Sequence, residues 1–360
     1  MMPSPSIRIA ALTLLTAATL ANAAEDTPTS RGQWVCLSPG FLETLATQDV
    51  VPHIKIKPAD EAPGAGICGI FADRQSGQTY YVVQGRGIFL RNAEGKPSFT
   101  RVDGEHYDAY YENAGPDVDP EGRGICVFSI QGWDIATTSC ISHDSGKTWA
   151  SLTTDPASIG FDLGAVDWAG GGKTILAKRH HNGDLELSRD SGATWQIIAP
   201  KQGEIRCLGL LGANVLLKGI NGENAGLYRS SDAGASWTKV ADCSFANLSQ
   251  AVVYHDKAYV ACAQGVLVTS DQGEHWKLLA SDCPNLRGPV MIGRDDKQLV
   301  VFGAKGFYES LDAGETWKLV APFSDDPALR KGRYEYGSWN PADDTFYVTH
   351  IAGQAYSYRR

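Results

Sequence analysis

Ser310-Leu311-Asp312-Ala313-Gly314-Glu315-Thr316-Trp317 is the last of five copies of one eight-residue pattern, Ser-x-Asp-x-Gly-x-(Thr/Ser/His)-Trp. The other copies run from Ser142 to Trp149, Ser188 to Trp195, Ser230 to Trp237 and Thr269 to Trp276, the last of these with Thr for the leading Ser. Their aspartates, Asp144, Asp190, Asp232, Asp271 and Asp312, lie 46, 42, 39 and 41 residues apart. A period near forty marks a chain built from repeated units. Each copy reads as a turn. A Ser or Asp side chain folds back onto nearby amides, Gly permits a positive φ, and Thr and Trp start a strand with the indole as an apolar wedge. Alternating runs flank it, such as Gly226-Leu227-Tyr228-Arg229 before one copy and Trp317-Lys318-Leu319-Val320 after another, so each copy joins two antiparallel strands. These residues build a turn and not a reaction centre.

Four strands make such a unit, A innermost to D outermost. The aromatic closing each copy marks a D strand. Ser98-Phe99-Thr100-Arg101-Val102 and Gln33-Trp34-Val35-Cys36-Leu37 look alike without the full pattern, which gives seven D strands. C strands begin near Gly87, Asp134, Leu185, Gly226, Gly265, Gly306 and Gln354. The D strand around Trp34 has no C strand before it, and the C strand from Gln354 to Arg359 has no D strand after it. Pairing them closes a ring and leaves no open edge. The predicted fold is therefore all-β: a seven-bladed β-propeller whose N-terminal strand closes the last blade. It occupies 24–360 as a single domain, with an insertion over 38–64 that holds a short helix from Phe41 to Ala46.

Arg8, the apolar run Ile9 to Leu20 and Ala21-Asn22-Ala23 read as a signal peptide over 1–23. The run is short for a transmembrane span and no second one follows, so the mature chain is expected to be soluble and periplasmic or secreted. A net charge of −9 argues against general nucleic-acid binding. Eight cysteines suit an oxidising destination, and none forms a Cys-x-x-Cys pair, so neither a zinc site nor a redox motif is expected. Cys126 and Cys140 stand equidistant from a turn at Trp133 and are expected to form a cross-strand disulfide. Cys36 and Cys68 flank the insertion and are expected to close it. Cys207, Cys243, Cys262 and Cys283 are left to pair within their own set. No phosphate loop, nucleophile triad or metal cluster has recognisable spacing, so no cofactor and no metal is expected.

Five copies at a regular period make the chain resemble the bacterial-neuraminidase-repeat, or Asp-box, propellers of the sialidase-like superfamily, over almost the whole mature length. That family includes sialidases, xyloglucan hydrolases, sortilin-type receptors and photosystem assembly factors, so the resemblance implies a fold and not an activity. It also implies that the Asp-box turns are structural and that ligands sit on the opposite face, where the D-to-A and B-to-C loops lie. The segments entering the A strands there supply His106, Asp108, Asp162, Arg206, Asn247, Arg287, Arg333, Tyr334, Glu335 and Tyr336. Arg206, Arg287 and Arg333 could converge on one carboxylate or sulfate, for which the guanidinium fork is suited. Arginines at a loop mouth are also commonly solvated or paired with a neighbouring carboxylate. Tyr107, Tyr110, Trp133, Trp168 and Trp339 could stack on sugar rings, or Trp168 and Trp339 could pack between blades.

A sialidase would draft Tyr334 or Tyr336 with Glu335 as the nucleophile pair and Asp108 or Asp162 as the acid/base. The family's Arg-Ile-Pro element is missing, however. The nearest text is Ile54-Lys55-Ile56-Lys57-Pro58, and lysine lacks the fork. A polysaccharide lyase could use His180-His181 or Tyr334 to move a proton, although His180-His181 also reads as an exposed turn. Asp117-Val118-Asp119-Pro120-Glu121-Gly122 begins like a calcium loop, but Phe128 stands where the closing Glu belongs, so it reads as a solvated A-to-B loop. The leading expectation is a recognition module for a glycan or protein partner. The alternative is a glycan-cleaving hydrolase or lyase with an arginine-lined pocket.

Overall fold

The computed structural model describes residues 31–38, 40–47, 66–83, 86–92, 98–104, 115–129, 139–152, 160–180, 183–202, 204–279, 283, 285–323, 329, 334–350 and 354–360. The signal-peptide expectation and most of the insertion lie outside them. Seven antiparallel sheets follow one another along the chain and form a ring of blades. Their A strands are Ile67–Ala72, Asp117–Val118, Phe161–Val166, Ile205–Leu210, Val252–Tyr254, Arg287–Ile292 and Tyr334–Asn340, for blades 1 to 7 in that order. Blade 7 is completed by Trp34–Cys36, which pairs with Ala355–Arg359 in the register Trp34↔Tyr358, Val35↔Ser357, Cys36↔Tyr356. The two ends of the chain thus lie side by side, as the unmatched strands in the sequence required. Ser249–Gln250 adds a short parallel strand to the A strand of blade 4, Cys207 opposite Ser249, which strand patterning did not foresee.

The ring is held by apolar seams between neighbouring blades. Phe71 and Tyr80 of blade 1 pack with Ile125 and Phe128 of blade 2, and this cluster continues to Phe161 and Ile175 of blade 3. Leu163 with Leu208, Leu217 with Val260, Tyr259 with Leu299, and Phe302 with Phe346 belong to the successive seams 3–4, 4–5, 5–6 and 6–7. The last seam joins Tyr347 of blade 7 to Ile67 and Phe89 of blade 1, and the helix Phe41–Thr47 caps it with Phe41 and Leu45. Trp34 anchors the closing strand. Its indole donates to the Pro322 carbonyl at 2.9 Å and stands 5.2 Å from the Tyr358 ring and 5.3 Å from Phe323.

The repeated turn is built as its residue types demand. In Ser230–Trp237, the Ser230 hydroxyl donates to Asp232 Oδ1 at 2.8 Å and accepts from the Gly234 amide at 2.8 Å. Asp232 also accepts from the Ser236 amide at 2.9 Å and the Ser236 hydroxyl at 2.6 Å, and the Trp237 indole donates back to the Gly234 carbonyl at 3.1 Å. The residue before each glycine is also left-handed: Ser145, Ser191, Ala233, Gln272 and Ala313 have φ between 54° and 61°. The glycine then has two duties. Gly234 has φ +92°, and a Cβ there would come within 2.6 Å of Ile198 on the preceding blade.

None of the eight cysteines is in a disulfide, which corrects two expectations. In blade 2 the register sets Cys126 opposite Ile141 and Cys140 opposite Val127. Paired residues share a face and successive residues alternate, so the two thiols leave opposite faces of the sheet. Equal distance from a turn is one residue off what a cross-strand pair requires. Cys36 is exposed on the outermost strand of blade 7, whereas Cys68 is buried on the innermost strand of blade 1, its thiol donating to the Val82 carbonyl.

Candidate functional site

The A-to-D order of every sheet gives the ring two unlike faces. The repeated turns and the A-to-B loops lie on one, the D-to-A and B-to-C loops on the other. On the loop face a compact group of polar side chains stands in blade 3. The strand pairing shifts at Asp162, between Phe161↔Arg179 and Leu163↔Lys178, and the bulged Asp162 meets an ammonium and an imidazole. Its Oδ2 accepts from Lys178 Nζ at 2.8 Å and its Oδ1 lies 2.5 Å from His180 Nδ1. All three are about one-fifth exposed, at 22%, 16% and 23% for Asp162, Lys178 and His180. His180 is thus held by a carboxylate, which the exposed-turn expectation missed; His181 lies outside the described residues.

Arg206 and Arg287 share no partner among the described residues. Arg206 is 40% exposed and among the described residues reaches only Glu204, at 4.0 Å. Arg287, two blades on, donates from Nη1 to the Tyr334 carbonyl at 2.6 Å, while its Nε is buried without a partner. Arg333, His106 and Asp108 lie outside the described residues, as does the Glu335 side chain. The phenols expected at the mouth are buried: Tyr334 is 3% exposed, in the seam between blades 6 and 7, and Tyr336 is 7% exposed. Burial, with the Asp117 carboxylate adding to it, pushes the Tyr336 hydroxyl well above the usual phenol range. Trp168 and Trp339 are packing residues. Trp168 lies over Gly124 and donates its indole N–H to Asp117 at 3.1 Å, and Trp339 is stacked on Phe346 and bonds to Asp344. Tyr107, Tyr110 and Trp133 lie outside the described residues.

The axis of the ring is a narrow cavity of about 70 Å³, lined by residues of six of the seven sheets that include Arg74, Asp117, Gln250 and Tyr336. Arg74 spans its turn-face end. The guanidinium donates to the carbonyls of Pro120 at 2.9 Å, Arg294 at 2.7 Å and Gly293, and lies over the Tyr254 ring. Four A-to-B loops are fastened by this one side chain. Asp117, read as the start of a solvated loop, is instead half-buried on the A strand of blade 2. Its carboxylate accepts from the Val166 amide at 2.7 Å as well as from Trp168. Burial pushes its carboxyl up to about 7; the Val166 and Trp168 hydrogen bonds oppose that shift and the neighbouring Asp119 adds to it. Asp119 accepts from Arg123 at 2.6 and 2.9 Å, and Glu121 pairs with the same arginine, so the would-be calcium ligands are engaged elsewhere.

The box aspartates are spent on their own turns. The hydroxyls and then the amides of Ser236 and Thr316 hold the carboxyls of Asp232 and Asp312 at about 2. At Asp271 the His275 amide is the first cause holding the carboxyl well below the usual carboxylate range, and His275 Nδ1 lies 2.7 Å from the carboxylate. Asp271, Glu274 and His275 form an exposed group of metal-ligand types, the only such cluster among the described residues.

The sequence matches no protein-family profile and no curated protein. Solved structures share the fold at low identity. The GH74 enzyme of Niastella koreensis aligns with a TM-score of 0.53 at 15% identity, over 82% of this chain and 52% of that one. The GH74 xyloglucanase from Xanthomonas campestris gives 0.50 at 16%, over 82% and 52%. An extracellular domain of B. thetaiotaomicron BT3049 gives 0.50 at 10%, over 82% and 40%. The chain spans about half the length of these proteins or less, and the likeness is one of fold alone.

Proposed function

We propose that the chain is an exported, Asp-box type propeller that acts as a recognition module, binding a glycan or a protein partner on the loop face. The carrying observation is the separate engagement of Arg206 and Arg287, one beside Glu204 and the other on the Tyr334 carbonyl. An arginine-lined catalytic pocket needs these forks turned toward one anion, and burial of Tyr334 and Tyr336 removes the phenols a sialidase-like nucleophile would use. A glycan-active enzyme is the second reading, favoured by the contact of Asp162 with His180, since a carboxylate that holds an imidazole can support proton transfer. The export, the leader over 1–23 and the periplasmic or secreted destination belong to the same proposal.

The test is a panel of acidic and neutral polysaccharides, scored for binding by calorimetry and for turnover by release of reducing or unsaturated ends. The expected result is saturable binding of one polymer class without turnover, weakened about tenfold or more by Arg206→Ala. Turnover that Asp162→Asn abolishes would overturn the recognition reading in favour of the enzyme.

A further inference from the structure

Of the four cysteines that the sequence left unassigned, three meet at the seam between blades 4 and 5. Cys207 lies on the A strand of blade 4, Cys243 on the connector that leaves that blade, and Cys262 at the end of the B strand Lys257–Cys262 of blade 5. They share one apolar cluster with Leu217, Phe245 and Val260, and their exposures are 0%, 5% and 0%. The connector is drawn against blade 5 by the Ala263 amide, which donates to the Ser244 carbonyl at 2.7 Å. That bond joins the residues next to Cys243 and Cys262 in sequence and so brings the two buried thiols together within one seam. Cys207 turns instead to Ser249 and to the Leu208 carbonyl.

We propose that Cys243 and Cys262 are an oxidation site, joined by a disulfide in the mature protein, and that Cys207 stays a thiol. The oxidant is a disulfide donor, small or protein-borne. Cys262 is the attacking sulfur. The Gln264 and Gly265 amides, which belong to its own hairpin and not to the connector, donate toward it and favour its thiolate. The Cys262 thiolate attacks one donor sulfur, and the donor S–S bond breaks with its second sulfur leaving as a thiolate. Cys243 then loses its proton and attacks Cys262 Sγ in the mixed disulfide, expelling the first donor sulfur. Two cysteines lose two electrons and two protons, and the donor becomes two thiols. Because both sulfurs are buried in the finished seam, the exchange takes place before the connector docks.

The bond has a purpose on the loop face. The same connector carries Phe245 and Asn247, and Phe245 is gripped by Asn221 through its amide and carbonyl, each at 2.9 Å. A disulfide to blade 5 fixes the other side of this segment, so a partner meets a preformed surface. The proposal rests on the exported reading for its oxidising compartment, and the experiment separates the two. Protein quenched with N-ethylmaleimide in the exported fraction is digested without reduction and sequenced by mass spectrometry. In parallel, reduced protein is refolded with oxidised glutathione. One linked pair, Cys243 with Cys262, is expected in both samples, with Cys207 alkylated only after denaturation. Dithiothreitol should lower the melting temperature by ~5 °C or more. Cys243→Ser and Cys262→Ser should abolish that shift, and Cys207→Ser should keep it. Eight alkylated cysteines in both samples, or a link through Cys207 or Cys283, would overturn the proposal. Pairing in glutathione by a chain that fractionation finds uncleaved in the cytoplasm would support the pair and remove the export reading.

Discussion

Asp117 is a carboxyl in the wall of the channel with no cation paired to it among the described residues, and its proton is a measurable part of stability. Its ordinary value is 3.8 and burial raises it to about 7, so the folded chain holds the proton more tightly than the unfolded chain does. The resulting stabilisation is full below about pH 3.8 and is lost as pH rises through about 7. It amounts to a few kcal/mol, because each tenfold gain in proton affinity on folding contributes about 1.4 kcal/mol. The turn aspartates act in the opposite sense: Asp232 and Asp312, held at about 2, stabilise above the ordinary carboxylate range and cease to as pH falls through about 2. Melting should therefore move to lower temperature between pH 5 and pH 8 in the parent protein, and Asp117→Asn should flatten that slope. Identical slopes would refute the assignment. Nothing in the local text around Asp117 announced this, because the donors that bury it, Val166 and Trp168, lie in the next blade. The turn aspartates were legible for the converse reason: every partner lies within four residues.

A strand of this ring is specified as much by how it starts as by its alternation. Gly306 opens the C strand of blade 6 at φ +133°, and a Cβ there would sit 2.1 Å from the Ala321 carbonyl oxygen on the D strand. No rotamer relieves a clash with backbone, so Gly306→Ala should cost about 2–3 kcal/mol in denaturant unfolding. A loss under about 0.5 kcal/mol, the size of an ordinary surface change, would show that the strand pair can shift. The starts of the C strands at Gly87, Gly226, Gly265 and Gly306 were readable from sequence because glycine marks them. The functional loops were not, since position along an A strand says which face a residue approaches and nothing about its partner. Asp162 shows this: a one-residue bulge turns it onto Lys178 and His180. The Cys126–Cys140 expectation failed at the same scale, on a register displaced by one residue.

For the whole molecule, closure is the decisive property, because six seams leave a blade edge open and the seventh removes it. Trp34 locks the strand that completes blade 7 against blade 6, through the rings of Phe323 and Tyr358 and the Pro322 carbonyl. Trp34→Ala should lower stability by about 3 kcal/mol, with truncation through Leu37 costing more, as read by equilibrium unfolding. An unchanged transition after truncation would mean that the last sheet holds without its fourth strand. The closing strand also settles where the chain ends emerge. It runs antiparallel to Ala355–Arg359, the Gly32 amide bonds to the Arg359 carbonyl at 2.8 Å, and Arg360 is clasped by Glu309 and Asp344. Arg31 and Arg360 therefore both lie on the floor of the ring, at the place where blade 7 would otherwise carry the repeated turn. A tether, tag or further domain joined after Arg360 would start from that floor, on the side away from the D-to-A and B-to-C loops.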